Sequence, residues 1–406
     1  MKRTVFTWMA VALVASVNPL YVKAAATFGD DTEFLRQHGD VVVLTDKSGQ
    51  AQVAVVPAWQ GRVMTSTARG PGGVSFGWVN RELIASGKVQ PHINVLGGED
   101  RFWLGPEGGQ FSIFFAKGVP FDLDHWFTPA SLDTEPFEVV SKGADRVLCR
   151  RSIQLANYSG TRFSLEVNRE VHLVDAADSL SRIGVSLSAD VNAVAFESAN
   201  TIKNTGVQAW KKDSGLLSIW ILGMFNAAPE TTVVVPFERG AEAERGSIVN
   251  DTYFGKVPAD RLVVKEGVLY FRADARCRSK IGLSPRRARG LLGSYDAANR
   301  TLTFVQFTLP QGATEYVNSM WKLQDDPFSG DAVNSYNDGP SQPGAKQMGQ
   351  FYELESSSPA LALGPGQSAT HTHRTIHLQG GEKSLDSMAR AALGVALADI
   401  QNAFKQ

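Results

Sequence analysis

The residues best suited to chemistry lie in one stretch, LGGEDRFWLGPEGGQ at positions 96–110. Two glycine pairs bracket it, and glycine permits the tight turns and close backbone approach that a ligand-binding loop needs. Aromatic rings offer flat apolar faces beside an arginine with a rigid fork of donors. Such a set suits a sugar, which has apolar C–H faces and a rim of hydroxyls. We therefore predict a saccharide-binding segment, with a turn, a buried strand and solvated charges as the alternative; its members are Glu99, Asp100, Arg101, Trp103 and Glu107.

A second candidate is the histidine-rich segment THTHRTIHL at positions 370–378. Alternate residues of a strand share one face, so His371, His373 and His377 are expected on the same side. That side is interpreted either as a polar strip facing a sugar or as a solvated face. The His-x-His spacing is compatible with metal binding. However, no cysteine or suitably spaced carboxylate completes a recognisable set, so no metal site is predicted.

The even positions of residues 270–280 give one strongly cationic strand face; they hold Tyr270, Arg272, Asp274, Arg276, Arg278 and Lys280. If this face lines the site, it favours an anionic or uronic sugar. If it faces bulk solvent, the charges only aid solubility. We assign the first half to solvent and Lys280 to the site.

Two further segments combine polar and aromatic groups that suit hydroxyl recognition. DLDHWF at 122–127 supplies His125 and Trp126, with a solvated edge loop as the equal alternative. VNSYNDGP at 333–340 lies just downstream of Trp321. Asn and Asp are common in turns for purely local reasons, so this segment is also compatible with a simple turn. Its candidate hydroxyl readers are Asn334, Tyr336, Asn337 and Asp338.

The elements that must position these residues are short strands. Period-two alternation is clearest at 161–173, 269–281 and 301–309, and is typical of antiparallel sheets with one buried face. Glycine, proline and asparagine turns separate such segments almost to residue 380. We predict a hairpin from 41–44 and 52–57, and a short helix from Asp30 to His38 with Asp30 and Glu33 as its capping box. The fold class is therefore mainly β, and a doubly wound α/β fold is disfavoured.

Composition limits the function classes. The chain has 406 residues, 43% of them hydrophobic and 20% charged, which is typical of a globular protein. The formal net charge of −1 argues against a nucleic-acid partner, which normally leaves a basic footprint. No linker divides residues 25–380, so we predict one β domain. No nucleotide, phosphate-loop, haem or flavin motif is present, so no cofactor is expected, and the sequence leaves the oligomeric state open.

Both ends of the chain differ from the β region. Residues 1–24 combine Lys2 and Arg3 with an apolar run and a small-residue cleavage site before Ala25, which predicts a secretory signal peptide. The run is too short for a comfortable membrane span. We therefore expect a periplasmic or secreted protein that starts near Ala25. Residues 381–406 predict one amphipathic helix from Ser384 to about Phe404, docked on a sheet, with a dimer contact as the alternative.

The chain has two cysteines, Cys149 and Cys277, and each shares strand parity with apolar residues. An oxidising compartment permits a disulfide between them. Buried free thiols are also common, so the sequence leaves both states open.

Several segments together resemble the galactose-mutarotase-like (aldose 1-epimerase-like) superfamily, more narrowly an uncharacterised exported bacterial family within it. They are Gly61-Arg62-Val63, the 96–110 stretch, NTIKNTG at 200–206 and 351–378. The resemblance covers roughly residues 40–380. It implies a large antiparallel β-supersandwich and a saccharide ligand.

The resemblance also implies roles for particular residues. The family's base is a carboxylate on a late strand, and Glu355 occupies the matching place, with Glu353 as the rival assignment. Arg101 matches the family's sugar-binding arginine by position. The family's acid is a histidine in a middle strand, near the segment of this chain that ends at Asn204, and no histidine occurs there. The candidate replacements are His92, His125 and a histidine of the C-terminal strand, where His373 is the one assigned.

Two function classes follow from these features. The first is a carbohydrate-active enzyme with epimerase-like or related sugar-modifying activity and Glu355 as base. The second is a non-catalytic carbohydrate-binding or accessory protein of a sugar-processing system. They differ in whether an acid and a base face each other across the pocket, and the sequence does not identify the sugar.

Overall fold

The computed structural model describes residues 26–342 and 344–405, and the predicted signal peptide lies outside these ranges. The helices are α1 Phe28–Arg36, α2 Arg81–Ser86, α3 Ala130–Asp133, α4 Ala176–Ser181, α5 Glu242–Arg245, α6 Glu382–Leu393 and α7 Leu397–Asn402. The first nine strands are β1 Val42–Thr45, β2 Gln52–Val56, β3 Arg62–Thr67, β4 Arg101–Gly105, β5 Glu138–Lys142, β6 Arg146–Ala156, β7 Arg162–Val174, β8 Asn192–Asn204 and β9 Ser218–Asn226. The remaining strands are β10 Thr232–Pro236, β11 Leu262–Lys265, β12 Val268–Arg272, β13 Ser279–Leu283, β14 Leu291–Asp296, β15 Thr301–Phe307, β16 Val333–Asn337, β17 Phe351–Ser357 and β18 Ser368–Gln379.

These strands form three antiparallel sheets, as the sequence predicts. A ten-stranded sheet has the order β11-β12-β10-β14-β15-β18-β8-β7-β6-β5. A five-stranded sheet has the order β13-β16-β17-β9-β4, and β1, β2 and β3 form a third. The hairpin expected near residues 41–57 is the β1–β2 pair. The alternation predicted in β7 is confirmed, because Phe163, Leu165 and Val167 are buried while their neighbours are partly exposed.

The five-stranded sheet packs one face against the ten-stranded sheet. Phe102 and Ile221 from the smaller sheet share one apolar cluster with Val167 and Phe196 from the larger. Burial of these side chains removes apolar surface from water on both sheets, which holds the sandwich together. The opposite face of the five-stranded sheet is left free to form a cleft.

The C-terminal segment covers the outer face of the ten-stranded sheet. Leu385 and Met388 of α6 and Ile400 of α7 pack with Ile376 of β18. Docking on the sheet is therefore confirmed, but the single predicted helix is wrong. Gly394 ends α6 with a left-handed backbone (φ 75°), a conformation that glycine adopts without the steric cost of a side chain.

One local prediction is wrong, and one alternative that the sequence left open is resolved. Helix α1 begins after Thr27, whose side chain forms the capping box with Asp30, so the predicted Asp30–Glu33 box is wrong. Cys149 and Cys277 are free thiols. In the described part of the chain, no helix is both long and apolar enough to cross a membrane.

Candidate functional site

The register of the five-stranded sheet places the candidate residues on its free face. Arg101 of β4 pairs with Leu222 of β9, and Leu222 pairs with Glu355 of β17. Arg101 and Glu355 are thus two strands apart, on the order of 10 Å at the usual strand spacing. One step along the sheet, Glu353 pairs with Tyr336, and Tyr336 pairs with Lys280. Residues distant in sequence therefore share one surface.

A cavity of about 360 Å³ opens over this surface. Four tryptophans contribute to its walls, Trp103, Trp126, Trp220 and Trp321. The rings of Trp103 and Trp220 meet edge to face with centroids 5.3 Å apart, and Trp126 stacks on Trp321 at 5.9 Å. Flat apolar walls of this kind match the C–H faces of a sugar ring. We call this cavity the cleft; its predicted lining residues are Arg101, Trp103, Glu107, Trp126, Lys280, Tyr336 and Glu353.

Glu355 lies beneath the floor of the cleft. Its Oε2 accepts hydrogen bonds from the Nζ of Lys280 and the indole Nε1 of Trp220, each 2.9 Å long. Glu355 has no exposed surface, and its second oxygen has no partner among the described residues. Burial alone would lower the pKa of Lys280, but Glu355, Glu107 and Glu353 raise it above its ordinary value. Lys280 is therefore an ammonium ion fixed over Glu355.

Three carboxyl groups line the cleft itself, those of Glu107, Asp124 and Glu353. Burial, with repulsion from Glu355, raises the pKa of Glu353 well above its ordinary range. Burial also raises the pKa of the half-buried Glu107 to about 7, although the nearby Lys280 opposes this shift. Glu353 therefore holds its proton to a higher pH than an ordinary carboxyl group does, and Glu107 exchanges its proton near pH 7.

Arg101 forms one end of the cleft. Its guanidinium donates to Asp133 over 2.8 Å and stacks on Trp103 at 4.3 Å. Asp133 also accepts hydrogen bonds from the backbone and side chain of Asn94, which fix it in place. Burial, offset in part by Asp133, lowers the pKa of Arg101 to about 10, so the side chain stays cationic. A buried arginine held in this way presents its donors in a fixed orientation.

Asn334 faces a smaller cavity behind Lys280, with a volume of about 10 Å³. Its amide donates to the hydroxyl of Tyr253 over 3.2 Å, and that hydroxyl donates to Asp331 over 2.6 Å. The smaller cavity reaches Ser218 and Trp220, beneath the cleft floor. Asn334 therefore supports the floor from behind.

The structure places three predicted site residues between the two large sheets, which corrects their assignment to the cleft. Asp100 accepts a 2.5 Å hydrogen bond from Arg169. His373 faces Ser356 at 2.8 Å and is fully buried. Glu99 pairs with His377 over 2.6 Å. We call this set the buried polar layer; its members are Glu99, Asp100, Arg169, Asn200, Thr303, Ser356, His371, His373 and His377.

Four other predicted residues also lie outside the cleft lining. The amide of Asn204 donates to the carbonyls of Gln208 and Leu363, where it ties two loops together. Asn337 is fully buried and caps backbone groups of Ala275 and Cys277. The last two are Asp338, which accepts from the Tyr336 hydroxyl and the Gly349 amide, and His125, which pairs with Asp122 at the surface.

The sequence reasoning missed the central strand of the site. Trp220, Leu222 and Met224 of β9 form the middle of the cleft floor. They alternate along SIWILGMFN, but the intervening residues are equally apolar because they enter the core. The one feature of the sequence that could have indicated this floor is Trp220, which alternates with core residues of β9. Asp133, which holds Arg101, gave no indication in sequence.

A family model matches residues 26–404, so the chain belongs to that family, which is described as a family of unknown function (DUF6786). A protein from Escherichia coli K12 provisionally assigned as an aldose 1-epimerase is similar in structure, with 12% identity and a TM-score of 0.50, over 84% of this chain and 99% of that one. A galactose mutarotase-like protein from Lactobacillus casei aligns with 10% identity and a TM-score of 0.47, over 84% and 100%. Among curated proteins, none matches the chain. The first similarity shows that the fold is mutarotase-like, as the sequence resemblance implies.

Proposed function

We propose that this protein binds a saccharide in the cleft and transfers protons at its anomeric centre. The observation that carries the proposal is the convergence of Glu107, Glu353 and Lys280 on one aromatic-walled cavity. Stacking on the indole rings supplies affinity, and the charged groups orient the hydroxyls. The mutarotase-like fold agrees with a carbohydrate-related role but does not identify a reaction.

Mutarotation needs one group that takes the anomeric hydroxyl proton and another that protonates the ring oxygen. Glu353, which faces the cleft and whose pKa is raised by burial, is assigned as the acid. Glu107, with a pKa of about 7, is assigned as the base. The proton leaves the hydroxyl for Glu107 while Glu353 protonates the ring oxygen, the bond from the anomeric carbon to the ring oxygen breaks, and ring closure reverses both transfers.

These assignments differ from the base that the sequence resemblance implies. Glu355 has no exposed surface and is held by Lys280 and Trp220, so it cannot touch a ligand in this arrangement. Its proposed role is to position the Lys280 ammonium in the cleft. Lys280 then stabilises negative charge that develops on the sugar oxygens.

A non-catalytic saccharide-binding protein is the second candidate. The sealed position of Glu355, where the family resemblance places the base, favours this alternative. The two candidates make different predictions for Glu353. A binding protein needs the cleft shape, whereas an enzyme also needs the transferable proton.

The test combines saccharide binding with polarimetry on glucose and galactose. Glu353→Gln keeps the shape of the side chain but removes the acid, so the rate is expected to fall by about 10²- to 10⁴-fold with binding retained. Glu138→Gln, at an exposed position on β5, is the matched control and leaves the rate unchanged. Binding without any rate enhancement in the unchanged protein favours the second candidate. No binding of any saccharide in a thermal-shift screen overturns both.

We also propose that the protein acts outside the cytoplasm. The support is the charged start, apolar run and small-residue site of residues 1–24. Mass spectrometry of the exported protein is expected to show a chain that starts near Ala25. An intact N-terminus in a membrane pellet contradicts this proposal.

A further inference from the structure

The cations of the cleft differ in how they are neutralised. Arg101 pairs with Asp133, and Lys280 pairs with Glu355. Arg278 also lines the cleft, but it forms no ion pair with any residue in 26–342 or 344–405. Its guanidinium stacks on Phe254 at 4.1 Å, and its buried Nε has no hydrogen-bond partner in the same ranges. Arg278 is therefore an oriented cation with unused donors.

The described acidic residues near Arg278 do not form an ion pair with it. Asp338 accepts hydrogen bonds from the Tyr336 hydroxyl and the Gly349 amide, at 2.8 and 2.7 Å. Glu353 also lines the cleft, but it forms no ion pair with Arg278. The acids that remain in the lining, Glu107 and Asp124, form no ion pair with Arg278.

The rim around this cation is apolar. Leu123, Phe254 and Met348 line the cleft from three separate loops and are 56%, 40% and 43% exposed. Apolar neighbours exclude water when a ligand enters, and a charge pair is stronger where water is excluded. The apolar rim therefore strengthens the attraction between Arg278 and a bound anion.

We propose that the cleft selects a saccharide that carries a negative charge, a uronic acid or a sugar phosphate, with Arg278 as the residue that determines this specificity. The inference rests on the proposed saccharide-binding function and adds the substrate class. The planar fork of arginine matches carboxylate and phosphate oxygens in two parallel hydrogen bonds. A cavity of about 360 Å³ lies in the range of small-ligand pockets and has room for such a sugar.

The experiment is calorimetric binding of three related sugars: galacturonate, galactose 6-phosphate and galactose. We expect at least one anionic sugar to bind about 10- to 100-fold more tightly than galactose, as a charge-assisted hydrogen bond implies. The tighter of the two anions identifies carboxylate or phosphate as the recognised group. The preference is expected to weaken as the salt concentration rises, because Arg278 is partly exposed.

Variants assign the effect to one residue. Arg278→Gln is expected to remove the preference for the anionic sugar while galactose affinity changes less than about 3-fold. Arg278→Lys keeps the charge but loses the fork, so it retains part of the preference. Arg276→Gln is the matched control, since Arg276 is exposed and outside the cleft lining. Thermal unfolding of each variant verifies that it is folded.

The outcomes separate this inference from the proposed function. If galactose binds as tightly as both anions, or if Arg278→Gln leaves the anion preference intact, the inference is overturned and saccharide binding stands. If none of the three sugars binds and the wider saccharide screen is also negative, the proposed function itself fails.

Discussion

The cleft and the buried polar layer lie on opposite faces of the same five-stranded sheet. Burial raises the pKa values of carboxyl groups in the cleft and lowers those of histidines in the layer. In the cleft, burial raises the pKa values of Glu353 and Glu107. In the layer, burial lowers the pKa of His371 to about 3 and that of His373 to about 4. The physical cause is the same, because each group avoids its charged form in a poorly hydrated place.

The two regions differ in whether their arginines are paired with other charged or polar groups. The layer is sealed between two sheets, and Arg169 is matched there by Asp100 and Asn200 at 2.5 Å. The cleft opens to solvent, and Arg278 forms no ion pair there with any residue that the structure describes. A closed set of pairs contributes to stability and structural specificity, whereas an open set with unused donors is suited to a ligand.

Removing Arg169 should give the largest effect on folding. Arg169→Met leaves Asp100 as a buried carboxylate without its guanidinium partner, and such a loss costs about 3–5 kcal/mol. Urea unfolding at pH 7 measures the change in the free energy of unfolding. Arg150→Met, which removes an exposed arginine of the neighbouring strand β6, is the control and should cost less than about 0.5 kcal/mol. Equal losses in the two variants contradict the view that the layer holds the sheets together.

The sequence predicted the cleft face better than the layer. The 96–110 stretch supplied Arg101, Trp103 and Glu107, the resemblance supplied Glu353, and all four line the cleft. Alternation reports a difference between a solvated and a buried face. It therefore works for β7, where buried residues alternate with partly exposed ones.

It fails for β18, because both faces of this strand are buried. Ile376 and Leu378 face the C-terminal helices, while His371 and His373 face the second sheet. In the sequence, a polar row that is buried between two sheets has the same spacing as a row that faces solvent or a ligand. Partners such as Ser356 come from a strand whose position depends on the complete fold, so spacing alone could not reveal them.

The histidines of the layer should destabilise the protein at acid pH. Their folded pKa values lie below the unfolded value of about 6.5, so the unfolded state binds protons first as the pH falls. The stability that the neutral histidines contribute is fully present above pH 6.5 and is lost as the pH falls towards 4. At pH 5 the loss in the free energy of unfolding is on the order of 2 kcal/mol per histidine. Urea unfolding at pH 7 and pH 5 measures the contribution of one histidine. Between these pH values, the free energy of unfolding of His373→Asn should fall by about 2 kcal/mol less than that of the unchanged protein. His38→Gln, at the exposed end of α1, should keep the full loss.

Glu107 should show the opposite and smaller pH dependence. Its folded pKa of about 7 exceeds the usual carboxyl value, so the folded state binds the proton first as the pH falls. The destabilisation caused by ionised Glu107 is complete above pH 7 and disappears towards pH 4.5. Glu107→Gln, which stays neutral, should therefore unfold at a higher temperature than the unchanged protein at pH 8, and the difference should shrink by pH 5. The effect is modest because Glu107 is half-buried and Lys280 opposes it. Glu138→Gln, on exposed strand β5, is the control for loss of a negative charge. A difference that stays constant across this range would show that the cleft carboxyl is ionised like a surface group, and the contrast between the two faces of the sheet would then be wrong.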